Sequence, residues 1–148
     1  MPVPDSATFG GLITKAAGHS SLREIIVTAM HPGGCAVNLG DELANLGVPV
    51  DAFVALGQPA HPEFAEVAAE FQSCHSWGSE PGRTLAFEFR DGKLMFSAVR
   101  QLADFTTAHV EKMLADGHYA AAFGHARLIA LTGWTLYPHM TAVWRLLQ

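Results

Sequence analysis

Short apolar runs alternate with apolar residues at helical spacing in the first half of the chain. The runs Ile25–Met30 and Val50–Leu56 are short and mostly apolar, and they predict strands. Residues 36–46 and 64–71 carry apolar side chains about one helical turn apart, and they predict helices. An order of strand, helix, strand and helix favours an α/β layer structure with a parallel sheet.

The first of these helices is predicted to be amphipathic. Its apolar face consists of Ala36, Leu39, Leu43 and Leu46. The other face carries Asp41, Glu42 and Asn45. Gly47 then stands where a left-handed residue commonly ends a helix. The second helix has its apolar residues at i, i+3, i+4 and i+7, and they are Phe64, Val67, Ala68 and Phe71.

Two β-prone runs in the middle of the chain flank an Asp-Gly pair. Residues 84–89 and 94–98 lie on either side of Asp91 and Gly92. An Asp-Gly pair between such runs is a strong signal for a hairpin. The sequence therefore predicts a β-hairpin over residues 84–98.

The rest of the chain predicts two more helices and one more strand. Residues 107–115, closed by Gly117, predict a helix, and residues 128–132 predict a buried strand. A last helix is indicated by the apolar stripe Met140, Val143, Trp144 and Leu147. Because no Gly, Asn or Pro follows this stripe, we expect a chain cut within a helix whose apolar face is still uncovered.

Composition excludes several classes of protein. The chain has 148 residues, 49% of them apolar, and a formal net charge of −5, so it can bury a core and offers no basic surface for nucleic acid. Its beginning has neither a basic region nor a following apolar stretch, and no apolar run approaches the roughly 18 residues of a membrane helix. Two cysteines, Cys35 and Cys74, are too few for a disulfide framework. We therefore expect a soluble, cytoplasmic protein that binds neither nucleic acid nor membrane.

The glycine pair Gly33-Gly34 and Asn38 are the candidate binding residues. Two glycines permit a turn and let a ligand approach the main chain closely, and the following helix presents free N–H groups and a positive dipole end. The amide of Asn38 both donates and accepts, which suits a sugar hydroxyl. On these residues alone, a tight turn followed by an asparagine that caps the helix is the favoured interpretation.

The longer spacing resembles the N-terminal signature of the PfkB, or ribokinase-like, family of carbohydrate and nucleoside kinases. The positions in register are Gly33, Gly34, Ala36, Asn38, Gly47 and Gly57. Cys35 occupies an optional position, and Gly40 departs from the usual Ser, Thr or Ala. Residues 43–50 are also similar to the family, and Gly82-Arg83-Thr84 with the predicted hairpin looks like its lid segment.

The resemblance implies a fold, a site and cofactors. The fold would be a ribokinase-like three-layer α/β/α sandwich (Rossmann-like) with a small hairpin lid, incomplete and truncated, and with residues 1–148 forming a single domain. Gly33, Gly34 and Asn38 would bind the acceptor, a small sugar or nucleoside, while ATP and Mg²⁺ would serve the complete enzyme. Asp5 would be the remnant of an acidic residue that binds acceptor hydroxyls. Gln58 follows Gly57 where the family usually has Asp, so the loop after this glycine departs from the family pattern.

The catalytic half of the family's motifs is missing from the sequence. The resemblance assigns the base and the anion hole to a Gly-Ala-Gly-Asp-like segment, and Mg²⁺ to an Asn-x-x-Glu motif. The only asparagines are Asn38 and Asn45, and neither has Glu three residues later. We therefore name no catalytic residue, and expect this chain alone not to transfer phosphate efficiently. The alternatives are a non-catalytic sugar-binding or pseudokinase-like module, and a structural remnant that forms a homo-oligomer through residues 140–147 or the hairpin.

Eight histidines and two cysteines raise the question of a metal site. His31 and Cys35 are four residues apart, and Cys74 and His75 are adjacent, but no second pair stands at zinc-ligand spacing. The sequence therefore predicts no metal centre, and these residues are expected to lie in loops or to pack in the core.

Overall fold

The computed structural model describes residues 2–148, which divide into two compact units. The hairpin unit comprises residues 2–29 and Arg83–Ala98, and the helix–sheet unit comprises Met30–Gly82 and Val99–Gln148. The hairpin unit holds helix α1, Ser6–Lys15, and strands β3, Arg83–Phe89, and β4, Gly92–Ala98. The helix–sheet unit holds α2, Cys35–Asn45; β1, Asp51–Val54; α3, Ala65–Glu70; β2, Ser73–Ser76; α4, Thr107–Leu114; α5, His118–His125; and α6, Met140–Leu147.

The helix–sheet unit is built around two parallel strands joined by a helix. β1 and β2 pair from Asp51↔Ser73 to Val54↔Ser76, and α3 connects them. Since successive side chains of a strand point to opposite faces, Ala52 and Val54 lie on one face of the sheet and Phe53 on the other. The first face joins a core with α2 and α3, made of Val37, Ala52, Val54, Leu56, Phe64, Val67 and Phe71. Phe53 packs against a second core, which includes Trp77, Val110, Met140 and Val143.

Helices therefore cover both faces of this small sheet, and the α/β class is confirmed. The predicted strand at residues 50–56 and the helix at residues 64–71 are observed as β1 and as a short 3₁₀ turn that continues into α3. The full ribokinase-like three-layer sandwich stays a prediction. Among residues 2–148, no helix has both the length and the apolar character required to cross a bilayer.

Helix α2 ends as predicted but buries a different face. Gly47 has a φ of +77°, and its N–H donates to the carbonyl of Ala44 while the N–H of Val48 donates to that of Leu43, which is a Schellman motif. The predicted apolar face is wrong, because Leu39 and Leu46 are 39% and 78% exposed.

The buried face of α2 centres on Val37 and Gly40. A Cβ at Gly40 would lie 2.9 Å from Cζ of Phe71, so the helix turns its smallest residue toward the Phe71 ring. Close packing against α3 therefore decides the orientation of α2, in place of its leucine stripe.

Two predicted strands do not form. Residues 25–30 and 128–132 have no strand partner in the part of the chain that the structure describes, and Ile26 and Leu128 are 73% and 78% exposed. An apolar run becomes a strand only when a neighbouring strand satisfies its backbone N–H and C=O groups. The predictions for these two segments are wrong for lack of such a neighbour.

The hairpin unit matches its prediction closely. β3 and β4 pair antiparallel from Arg83↔Ala98 to Phe89↔Gly92, so Arg90 and Asp91 form a two-residue loop. Helix α1 is tied to this loop, since the backbone N–H and the hydroxyl of Ser6 donate to Asp91, at 2.9 Å and 2.5 Å. These bonds lower the pKa of Asp91. The ring of Phe9 lies 5.5 Å from that of Phe87.

The later helices lie where the sequence predicts them, but the apolar face of α6 is packed against a core and not exposed. α4 and the positive φ of Gly117, +78°, are as predicted. In α6, Met140 and Val143 are only 7% and 1% exposed, because they pack in the second core of the helix–sheet unit. The expectation of an uncovered apolar stripe at residues 140–147 is therefore wrong, and the idea that the chain associates through this stripe loses its basis.

Candidate functional site

The amino end of α2 brings together three of the four predicted binding residues. Gly34 is the N-cap residue with a φ of +109°, Gly33 precedes it, and Asn38 lies one turn into the helix. A Cβ placed on Gly33 or Gly34 would meet no atom within 4 Å. The space in front of the glycine pair is therefore open, and a ligand can reach the main chain there.

The hydrogen bonds of this helix end leave donors free. The backbone N–H of Asn38 donates to the carbonyl of Gly34 at 2.9 Å, so the intrahelical bonds begin at residue 38. The N–H groups of residues 35–37 precede this first bond and have no helical acceptor. Together with the positive end of the helix dipole, they form a set of donors for oxygen atoms.

The side chain of Asn38 does not cap the helix. The N-cap residue is Gly34, without a side-chain cap, and within residues 2–148 no hydrogen bond is made by the exposed Asn38 amide. This observation removes the interpretation in which Asn38 serves only as a cap. The amide is left available to a ligand.

The loop after β1 is held by Ser76 and Gln58. The Ser76 hydroxyl donates to the carbonyl of Gly57 at 2.7 Å and accepts from the N–H of Leu56 at 3.2 Å. Nε2 of Gln58 donates to the carbonyl of Ser76 at 3.0 Å. Gln58, which departs from the family pattern, thus braces the loop against the end of β2.

Gly57 itself is required by geometry. Its φ is +97°, and a Cβ there would lie 3.0 Å from the carbonyl oxygen of Pro59. Only glycine adopts this backbone without strain. The conformation explains why a glycine stands at this position of the signature.

The amino end of α2 and the Gly57 loop belong to the same end of the sheet. A short connection, residues 46–50, joins α2 to β1, and both elements contribute to one core. They therefore run in opposite directions, so that the start of α2 lies toward the carboxyl end of β1. Ligands of open α/β sheets bind at that end of the strands.

Asp5, the fourth predicted residue, belongs to the hairpin unit. It is the N-cap of α1, and its Oδ1 accepts from the N–H of Thr8 at 2.7 Å. It lies before a helix, whereas the resemblance places its counterpart near a strand. Binding of acceptor hydroxyls by Asp5 stays a prediction.

A small cavity lies where β1 and β2 end, with a volume of about 10 Å³. This is room for about one water molecule, so the cavity is no sugar pocket. Burial raises the pKa of Tyr137, which lines it. The other lining groups include Glu80, Gln101, Asp104 and His109.

Cys74 and His75 are neighbours on β2, a strand that the sequence did not predict. Their side chains therefore point to opposite faces of the sheet. Cys74 packs against the first core, and this burial raises the pKa of its thiol. The ring of His75 stacks on Phe53 and on His118, with centroids at 4.9 Å and 4.5 Å. Apolar residues recur there only at every third position, 71, 74 and 77, so the sequence carried no alternating signal for this strand.

Asp51 is a second residue that the sequence interpretation missed. It begins β1, and its carboxylate accepts from the Ser73 hydroxyl at 2.6 Å, from Nε2 of His125 at 3.1 Å and from Gln72. The bond from Ser73, followed by those from His125 and Gln72, lowers the pKa of Asp51. At the amino end of the strands, this carboxylate ties β1 to β2 and α5.

Comparison with known proteins supports the resemblance in the glycine and asparagine spacing. The family model described as prokaryotic ketohexokinase matches residues 3–148. Searches of curated proteins and of solved structures gave no match. Since the family model spans nearly the whole chain, from α1 to α6, the chain belongs to the prokaryotic ketohexokinase family, a group of ribokinase-like, PfkB-type sugar kinases.

Proposed function

We propose that this chain provides the acceptor-binding portion of a ketohexokinase. The overall reaction would transfer the γ-phosphoryl group of ATP to a hydroxyl of a ketohexose. The observation that supports this role is the open glycine pair beside free N–H groups and an unbonded Asn38 amide. Gly33, Gly34 and Asn38 are also the residues to which the resemblance to the PfkB signature assigns acceptor binding.

The chemistry of this helix end suits a sugar. Hydroxyl oxygens accept hydrogen bonds from the N–H groups of residues 35–37, and the absence of side chains at Gly33 and Gly34 lets the ring approach them. The side-chain amide of Asn38 can donate a hydrogen bond from its NH₂ group and accept one at its oxygen, so it can bind two neighbouring hydroxyls of a sugar. Binding here would orient the acceptor, which is the contribution that positioning makes to phosphoryl transfer.

The family implies ATP and Mg²⁺, and the described residues show no assembled site for either. Within residues 2–148, no three His, Cys, Asp or Glu side chains converge into a set that could hold a metal ion. The segments to which the resemblance assigns the base and the anion hole are also missing from the sequence. The contribution proposed for this chain is therefore to bind and orient the acceptor.

A thermal-shift titration with D-fructose tests sugar binding. At a sugar concentration 100-fold above Kd, binding adds about 2.7 kcal/mol of stability. For a chain of this size, that raises Tm by about 5–10 °C. Asn38→Ala should abolish the shift.

Asn45→Ala is the matched control. Asn45 lies on the same helix, at its other end, and donates to Asp41 at 3.0 Å. This variant should respond to fructose as the parent chain does. If no ketohexose shifts the parent chain, or both asparagine variants respond alike, the proposal fails.

Gly33→Ala tests the approach to the main chain. Gly33 has no positive φ, and a methyl group added there would meet no atom within 4 Å, so alanine fits the fold. The new methyl stands in the open space in front of the helix, and we expect fructose affinity to fall about tenfold, or roughly 1.4 kcal/mol, with an unchanged Tm. Equal affinity would show that the sugar binds elsewhere.

Asp5→Asn separates the two roles of Asp5. Asparagine is as good an N-cap as aspartate, so α1 keeps its cap while the charge is lost. If Asp5 binds acceptor hydroxyls, this variant weakens fructose binding without a change in Tm. Unchanged affinity would leave Asp5 as a helix cap only.

A second candidate function is a non-catalytic sugar-binding module. It is favoured by the missing catalytic segments and by the lack of a converging metal-ligand set in residues 2–148. Assay of the purified chain with ATP, Mg²⁺ and fructose distinguishes the two. Sugar binding without measurable ADP release supports the module, and kinase-like turnover would exclude it.

A further inference from the structure

Trp134 is an exposed tryptophan whose ring is held in place by the protein. It is 60% exposed, whereas Trp77 is 3% exposed and Trp144 packs against the second core. The indole Nε1 donates to the hydroxyl of Thr141 in α6 at 3.0 Å, so the polar edge of the ring is already bonded. The surface that Trp134 presents to solvent is therefore mainly the apolar part of its ring.

The turn before α6 places this ring at the carboxyl end of the small sheet. Gly133 has a φ of +84°, and a Cβ built there would lie 3.5 Å from Cε2 of Tyr137, so the turn rests on the Tyr137 ring. Tyr137 lines the small cavity together with Ala55 and Gly78, which follow the ends of β1 and β2. The segment that carries Trp134 therefore lies beyond the carboxyl ends of both strands.

The start of α2 lies at the same end of the sheet, on the other side of β1. Two successive residues after β1 point to different sides, since Ala55 lines the small cavity and Leu56 packs in the first core. Val37, in the first turn of α2, belongs to that first core. The start of α2 and the turn of Trp134 thus flank the end of β1. In open α/β sheets, ligands bind in the crevice outside the carboxyl ends of the strands.

We propose that Trp134 is a stacking platform for the acceptor, so that the apolar face of a ketohexose ring lies on the indole while its hydroxyls bind at the start of α2. This role rests on the proposed function, and it supplies an apolar contact that Gly33, Gly34 and Asn38 do not offer. A cyclic sugar carries C–H groups on its ring faces, and they gain from leaving water for an apolar surface. Ligand sites commonly combine aromatic side chains with a few polar groups in this way.

The bond to Thr141 prepares the ring for this contact. A side chain that is ordered only when the ligand arrives loses rotamer freedom, and that loss weakens binding. Here the indole is fixed to α6 in the chain without ligand. Thr141 is therefore a positioning residue, which acts on the sugar through Trp134.

Tryptophan fluorescence during a titration with D-fructose tests the stacking. As the sugar covers the exposed indole, the emission should shift to shorter wavelength, and the change should saturate at the same fructose concentration as the thermal shift. Trp134→Phe should lose this signal and keep the fructose affinity within about threefold, because phenylalanine still offers an aromatic face. Trp134→Ala should bind fructose about tenfold more weakly, with a Tm close to that of the parent chain.

Three further variants separate an aromatic contact from a general loss of apolar surface. Thr141→Val removes the hydroxyl at nearly constant shape, and it should weaken fructose binding about threefold. Thr141→Ser keeps the hydroxyl and should restore the affinity. Leu128→Ala is the control, because Leu128 is another apolar residue of the segment before α6 and is 78% exposed. This variant should bind fructose as the parent chain does.

Three results would overturn the stacking role and leave the proposed function standing. One is a thermal shift with fructose that is accompanied by no change in emission. Another is a Trp134→Ala variant that binds fructose as tightly as the parent chain. The third is an emission shift when the protein concentration alone is raised, because a second copy would then cover the ring. If fructose changes neither Tm nor emission in the parent chain, the proposed function fails, and the stacking role fails with it.

Discussion

The helix–sheet unit and the hairpin unit differ in how far they bury their apolar side chains. In the helix–sheet unit, β1 lies between two cores, and Ala52 and Val54 are each 7% exposed. In the hairpin unit, Phe96 of β4 is 51% exposed, and Ile26, in the extended segment that follows α1, is 73% exposed. The residues compared are all apolar, so side-chain type does not explain the difference.

The difference lies in the number of covering layers. β1 has a parallel partner in its sheet and helices on both faces, so each of its side chains finds a packed surface. The hairpin has helix α1 over part of one face, with Phe9 on Phe87 and Phe89. A two-stranded hairpin gains little stability on its own, and it depends on such packing.

Among the variants that test this contrast, Phe71→Ala should have the largest effect on stability. Phe71 is 8% exposed and its ring packs against Gly40, so its removal leaves a cavity between α3 and α2. We expect a loss of about 3–5 kcal/mol in the free energy of unfolding. Urea denaturation at pH 7 measures it.

Phe96→Ala is the matched change in the hairpin unit. The ring is half exposed and has one aromatic neighbour, Phe87, at 5.7 Å. Its loss should cost about 1 kcal/mol or less. If the two phenylalanine variants are destabilised equally, the contrast between the units is wrong.

Gly57→Ala tests how tightly the backbone of the helix–sheet unit is packed after the end of β1. Alanine there would suffer both the positive φ and a contact of 3.0 Å with the Pro59 carbonyl, and we expect a cost of about 2–4 kcal/mol in unfolding free energy. Gly47→Ala is the control, since its φ is also positive but its surroundings are open. It should cost about 1–2 kcal/mol, and an equal cost at both sites would mean that the Pro59 contact is relieved easily.

Asp51→Asn tests the tie between β1, β2 and α5. Hydrogen bonds lower the pKa of Asp51 below the value of 3.8 that applies to the unfolded chain, so the folded state binds fewer protons at acid pH. The stabilisation is therefore complete above about pH 5 and is lost as the pH falls through the folded pKa. We expect the variant to lose about 1–2 kcal/mol at pH 7 and to approach the parent chain near pH 2.

Ser73→Ala provides the companion measurement. The Ser73 hydroxyl is the main cause of the lowered pKa, so in its absence the effect of Asp51→Asn should shrink. An effect of Asp51→Asn that is independent of pH between 2 and 7 would contradict the role of the ionised carboxylate.

Local signals predicted much of this fold. The Asp-Gly turn placed the hairpin, and Gly47 and Gly117 placed two helix ends, because turns and caps depend on a few adjacent residues. The face of α2 depends on Phe71, which is far away in the sequence, and so it was predicted wrongly. The strands expected at residues 25–30 and 128–132 required partners that no local pattern reveals.

The residues of the candidate site also fall into two groups, those that a local pattern predicts and those that only the fold reveals. Gly33, Gly34 and Asn38 follow from the spacing of one short signature, and the structure adds that their surroundings are open. Ser76 and Gln58 were missed because their role is to hold the loop after β1 from a neighbouring strand end. Supporting residues of this kind are visible only when two segments meet.

The smallest expected effect decides how the binding experiment is interpreted. Within residues 2–148, no hydrogen bond is made by the exposed Asn38 amide, and alanine is a better helix former than asparagine. Asn38→Ala should therefore change the free energy of unfolding by no more than about 0.5 kcal/mol in either direction. Asn45→Ala, which loses a bond to Asp41, should cost a few tenths of a kcal/mol. If Asn38→Ala instead destabilised the chain by more than about 1 kcal/mol, Asn38 would be part of the support of α2. A lost fructose response in that variant would then reflect a damaged helix end, because only a residue that is free in the folded chain can lose a ligand without losing stability.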